Sequence, residues 1–185
     1  MDILRPQDLL LVLKLAANRS QRRWTYAELS KDLGISASQA FRSVARAEAA
    51  RLLYMPANPP SNGSNVSTLF SQPNIANLKE FLVHGAKYSF PVERGGMTRG
   101  IPTAHAGPPL DQHIAASNDP PPVWPFAEGR VRGVEFSPLY KNAPQAAQRD
   151  PKLYELLTLV DAIRDGRARE REIAIRELTL RLDAQ

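Results

Sequence analysis

The sequence predicts a mainly α protein with one small β hairpin: a helix-turn-helix, then an irregular Pro/Gly-rich segment, then a C-terminal helical pair. Three observations carry this. Two capping signatures, Thr25 with Glu28 and Ser36 with Gln39, bracket a single glycine, Gly34. The text from Phe90 to Phe126 is dense in Pro and Gly and too long for an ordinary connection. After Asp150 and Pro151, leucines return at helical spacing. The matching division of the chain is 1–73, 74–149 and 150–185.

In order along the chain, Pro6 at a first helical position and Asp8 in the first turn open helix one. Leu9, Val12, Leu13 and Ala16 give it an apolar stripe that packs behind the motif. A basic turn follows with Arg19, Arg22 and Arg23, able to clamp phosphate or simply to be solvated, and Trp24 beside it reads as core. Thr25 and Glu28 form a capping box, so a short helix starts at Tyr26, carries Ala27, Leu29 and Leu33, and ends at Gly34. Ser36 and Gln39 open a longer helix through about Ala50, with Ala40, Val44 and Ala47 inward.

That leaves a three-residue turn, the geometry that projects a second helix into the major groove of DNA. With Ala40, Val44 and Ala47 inward, the helical phase turns Ser38, Arg42, Ala45 and Arg46 outward and puts Gln39 and Phe41 on the flanks. Arg can bond guanine bidentately, Gln can bond adenine, and Ser can serve a base or a phosphate. The competing account is an ordinary helical hairpin with a solvated polar face.

The stretch AELSKDLGISASQAFRSVARAEAARLL resembles the winged helix-turn-helix of bacterial transcriptional regulators, broadly of the MarR kind, over about the first third of the chain. Glu48, Ala49 and Ala50 stand where that family ends its recognition helix, and Leu52, Leu53 and Tyr54 where a first wing strand begins. The resemblance implies DNA reading by Ser38, Gln39, Arg42, Ser43 and Arg46. The full set expected to contact DNA adds Ser36, Thr25, Arg19, Arg22 and Arg23. A wing is expected from LLYM and VSTLF, with Pro56 to Asn65 as a tip that carries no Lys or Arg. The family dimerises through helices on both sides of its DNA-binding unit; only one helix precedes it here.

Asn74 to Tyr88 reads as a helix on Ile75, Leu78, Phe81 and Leu82. Phe90 to Phe126 reads as an ordered irregular layer anchored by Phe90, Met97, Ile101, Trp124 and Phe126. Within it, Glu93 to Gly100 (ERGGMTRG) lacks Walker and dinucleotide spacing and reads as a turn, or as a cradle for a phosphate or carboxylate. RVRGVEF, Arg130 to Phe136, alternates as one short strand. Asp150 and Pro151 cap a helix with Leu153, Leu156, Leu157, Val160 and Ile163 on one side until Gly166. A last helix, Arg167 to Leu182, carries Glu172–Arg176 and Glu177–Arg181 pairs. These two helices either close the chain's own core or form a dimer seam.

The 185 residues carry a net charge of +5, and the surplus lies in the motif third: residues 1–51 hold nine Lys and Arg against five Asp and Glu. This suits attraction to a polyanion. There is no cysteine, so disulfides and thiolate chemistry are excluded. No apolar run reaches membrane-spanning length and the start lacks signal-peptide character, so a cytoplasmic protein without a membrane partner is expected. His84, His105 and His113 have no metal-ligand spacing, and Ser89, Ser117 and Ser137 no nucleophile elbow. No enzyme, metal or cofactor is expected. The expected function is a sequence-specific regulator binding double-stranded DNA, most simply a homodimeric repressor. The alternative is an antitoxin-like protein that binds a partner protein and represses its own operon.

Overall fold

Helix α1 (Pro6–Ala17) is buried around its whole circumference, with every residue from Asp8 to Ala17 inside. Apart from Lys14 the run LLLVLKLAA is apolar on all faces, which makes this a core helix buried beyond the single stripe that the spacing predicts. A computed structural model describes residues 3–20, 23–57, 68–115 and 118–184. In it α1 packs on α3 (Ala37–Ala49) on one side and on α7 (Pro151–Asp165) on another. The charges on α1 are paired, as buried charges must be: Lys14 Nζ lies 2.8 Å from both Asp32 and Asp150.

Helix α2 (Tyr26–Leu33) and α3 each start on a complete capping box, Thr25 with Glu28 and Ser36 with Gln39. Between them Gly34 is left-handed at φ +64°, which glycine adopts without strain. Short strands frame this unit. β1 (Trp24–Thr25) pairs antiparallel with β3 (Thr68–Leu69), and β2 (Leu53–Tyr54) pairs antiparallel with β4 (Gln72–Pro73). The expected hairpin of LLYM with VSTLF is therefore corrected, since Leu53–Tyr54 takes Gln72–Pro73 as its partner. Leu69 sits opposite Trp24, and that register places both side chains in the core. Most of the expected wing tip, together with Arg22 and Ser117, lies outside the described residues.

Asn74 caps α4 (Ile75–Glu80), which runs through a π-helical turn, Phe81–Gly85, into α5 (Ala86–Ser89). Leu78, Leu82 and Ala86 form its buried edge. The middle is more regular than its composition suggests. β5 (Arg94–Pro102), β6 (Pro122–Pro125) and β7 (Val131–Phe136) close into a three-stranded barrel, with β5 antiparallel to both neighbours and β6 parallel to β7. ERGGMTRG is thus mostly strand, and the expectation of a turn there is corrected. A Cβ at Gly100 would lie 1.9 Å from the Trp124 carbonyl oxygen, so glycine is what lets the strands come this close.

Helix α6 (Ala143–Arg149), which the sequence reading passes over, precedes α7 and α8 (Ala168–Asp183). α7 begins on Asp150, which accepts from the Leu153 amide, and it contacts α1, α5, α6 and α8. Leu153, Leu156, Leu157, Val160 and Ile163 are each at most 2 % exposed. The dimer-seam expectation for this stripe is corrected: one chain covers it completely. Asp161 fixes α7 to the barrel, accepting from Thr103 Oγ1 (2.8 Å) and Trp124 Nε1 (2.7 Å) on one oxygen and from Arg164 on the other (2.7 Å). On α8, Arg181 bonds Glu177 as the spacing predicts, whereas Arg176 sits 3.8 Å from Glu177 and not on Glu172. Buried side chains from α1 to α8 form one connected core, with no break at 73 or at 149. No described helix is long and apolar enough to cross a membrane.

Candidate nucleic-acid interface

The exposed face of α3 is Ala37, Ser38, Phe41, Arg42, Ala45 and Ala49. Its inward face is Ala40, Ser43, Val44, Arg46 and Ala47. Arg42 is solvated, with no ion-pair or hydrogen-bond partner among the described residues, so its five donors are available to a ligand. Ser38 is exposed beside it, one turn nearer the helix start. Phe41 is 56 % exposed and is steadied by Tyr26, ring centroids 5.5 Å apart. The phase argument put Phe41 on the flank; it stands in the middle of the open face.

Arg46 and Ser43 are corrections. Arg46 is turned inward and bonds Asp8 through two contacts of 2.7 Å, Nε to Oδ2 and Nη2 to Oδ1. Asp8 is fully buried, and its Oδ2 also accepts from the Arg5 amide at 2.8 Å. Ser43 is buried too; its Oγ takes an Arg46 N–H at 3.3 Å and a Gln7 amide N–H at 3.4 Å. These side chains join α3 to α1, and the guanidinium charge is matched by a carboxylate. Periodicity within α3 misses this because the covering carboxylate stands 38 positions away. An acidic residue in the first turn of α1 reads locally as a cap, and it is one, but it also pairs across helices.

Of the remaining expected contacts, Ser36 is exposed and its Oγ accepts from the Gln39 amide, while Gln39 Oε1 accepts from the Ser36 amide at 2.8 Å. The cap thus occupies the oxygen that would bond adenine and leaves the Gln39 NH2 as a donor. Thr25 is engaged likewise: its amide donates to Glu28 Oε2 at 2.7 Å, and Glu28's carboxylate stands over the start of α2. Arg19 turns to α8 and donates to the Leu182 carbonyl, which satisfies an orphan acceptor at that helix end. Its expected role as a phosphate clamp is corrected to a helix cap. Arg23 is exposed.

The turn is held from outside. Asn142, just before α6, donates its amide to the carbonyls of Leu33 (3.3 Å) and Gly34 (2.7 Å), and Arg149 donates to the Lys31 carbonyl at 2.8 Å. Exposed Lys141 adjoins this contact. At the other end of α3, Glu48, Arg51, Tyr54, Met55 and Asn77 line an open cleft of about 590 Å³ beside β2. Arg51 there is left-handed at φ +58° and ends the helix. Burial, and next the negative charge of Glu48, push the Tyr26 phenol above its ordinary range, so it stays a neutral donor. Compared with known protein families, with curated proteins and with solved structures, the chain matches none.

Proposed function

We propose that the chain is a sequence-specific DNA-binding transcriptional regulator of the winged helix-turn-helix kind, acting most simply as a homodimeric repressor. The observation that carries this reading is the open face of α3, where solvated Arg42 stands one turn after Ser38 with exposed Phe41 beside it, on a helix that follows a glycine turn. Arg supplies a bidentate donor pair for guanine, and Ser a small donor or acceptor for a base or phosphate. The positive surplus of residues 1–51 supports attraction to the backbone. One recognition helix reads few base pairs, so a symmetric pair on two half-sites supplies the missing specificity. The surface that pairs the two copies is one other than the α7 stripe.

The test is a gel shift with the DNA upstream of the chain's own coding sequence, for the wild type and Arg42→Ala. The substitution should cost roughly 1 to 3 kcal/mol on the specific site and relax base choice there. Equal weakening on specific and random DNA would make Arg42 a phosphate contact, and no shift with the wild type would reject the reading. Sedimentation of the complex checks the dimer. A second polypeptide that copurifies would favour the antitoxin-like alternative.

A further inference from the structure

The barrel carries a second basic surface. In the antiparallel pair of β5 and β7, Arg99 lies directly opposite Arg132. Directly opposed side chains share a face with their Cβ atoms roughly 5 Å apart, and like charges so placed destabilise a sheet. Both are exposed, and neither has a carboxylate partner among the described residues. Arg130 stands just before β7, two residues ahead of Arg132, and is exposed and unpaired in the same sense. Arg94 on the same strand shows the contrast: it is matched by Asp165 at 2.6 Å and lies over the Phe136 ring. Glu128 lines the same open cleft of about 430 Å³ as Arg130 and forms no ion pair among the described residues.

This ribbon is joined to the helix-turn-helix through α6. Gln148 lines the cleft with Arg130, while its neighbour Arg149 holds the Lys31 carbonyl of α2 and Asn142 holds the turn. Lys31, Lys141, Arg130, Arg132 and Arg99 are all exposed on the elements that these contacts join. We propose that the Arg99–Arg132–Arg130 ribbon binds the phosphate backbone of duplex DNA outside the base pairs that α3 reads. A phosphate set between Arg99 and Arg132 removes their repulsion, which accounts for a pair that the free protein leaves uncompensated. This rests on the reading of α3 as a DNA-binding helix.

The test measures how affinity depends on salt, using the full chain and random-sequence duplexes of about 12 and about 30 base pairs, roughly one and three helical turns. Each phosphate contact adds about 0.9 to the slope of log affinity against log salt. Arg99→Gln with Arg132→Gln should lower the slope by roughly two units on the long duplex and leave it unchanged on the short one. The same double variant should melt no lower than the wild type without DNA, because it removes a like-charge pair, and Arg99→Lys with Arg132→Lys should keep the slope. A slope unchanged on the long duplex overturns the inference. So does an equal loss in the Gln and Lys variants accompanied by a lower melting temperature, which would make the arginines structural. A wild type that binds neither duplex rejects the α3 reading itself, and that control separates the two failures.

Discussion

Replacing Arg46 with Ala asks whether this residue reads bases or joins helices. In the folded chain its guanidinium makes two 2.7 Å bonds to a fully buried Asp8, so the substitution leaves a carboxylate beside an empty space. Breaking a buried pair from one side costs about 3 to 5 kcal/mol. For a domain of this size each kcal/mol lowers the melting temperature by roughly 2 to 4 °C, so the midpoint should fall by roughly 10 °C. Asp8→Asn with Arg46→Met removes both charges, keeps the bulk and keeps an acceptor for the Arg5 amide. It should recover most of the loss, since apolar replacement of a buried pair is often close to neutral. Urea unfolding followed by circular dichroism measures the stability, and a gel shift well below both midpoints measures DNA binding. If Arg46→Ala unfolds at the wild-type urea concentration while losing sequence-specific binding, the residue faces DNA and the reasoning fails.

Two further outcomes follow from the core. Burial pushes the Asp150 carboxyl up, but hydrogen bonds from Lys14, the Leu153 amide and Asn18, with the Lys14 charge, outweigh it and hold the group below its ordinary value. Its contribution is therefore present above the unfolded value of about 3.9 and is lost as pH falls through the lower folded value. Asp150→Ala should cost about 1 to 2 kcal/mol at neutral pH as a lost helix cap, with the gap to wild type closing in acid; thermal unfolding at pH 7 and near pH 3 checks this. Leu156→Glu places a charge where the side chain is 2 % exposed, so circular dichroism should show an unfolded chain. A folded monomer would instead restore the dimer seam.

The features legible in the sequence were those whose partners lie within a few residues. Thr25 and Glu28, Ser36 and Gln39, and Asp150 with Leu153 are three apart, so their caps could be read from spacing alone. Arg46 with Asp8, and Arg19 with Leu182, pair across long separations that no periodicity reports. β5 was hidden for another reason: in a one-dimensional reading Gly95-Gly96 marks a turn, whereas here the pair lies within the strand and Gly100 further on is the glycine that close strand approach requires. The leucine stripe of α7 is wider than α8 alone covers. Besides α8, its neighbours are α1, α5 and α6; helix one and the Asn74–Tyr88 helix are the cover that intrachain packing calls for, and α6 is the wall that no leucine spacing announces.

The fully enclosed α1 has a consequence for how this chain can be handled and how it could have diversified. A fragment ending near residue 73 would keep α2 and α3 but would uncover the side of α1 that lies on α7, and would remove the Asn142 amide that fastens the turn. Lys14 would retain Asp32 and lose Asp150. The motif is therefore not a detachable cassette: shuffling it onto another scaffold would require that scaffold to rebuild a second wall for α1 and a clasp for Gly34.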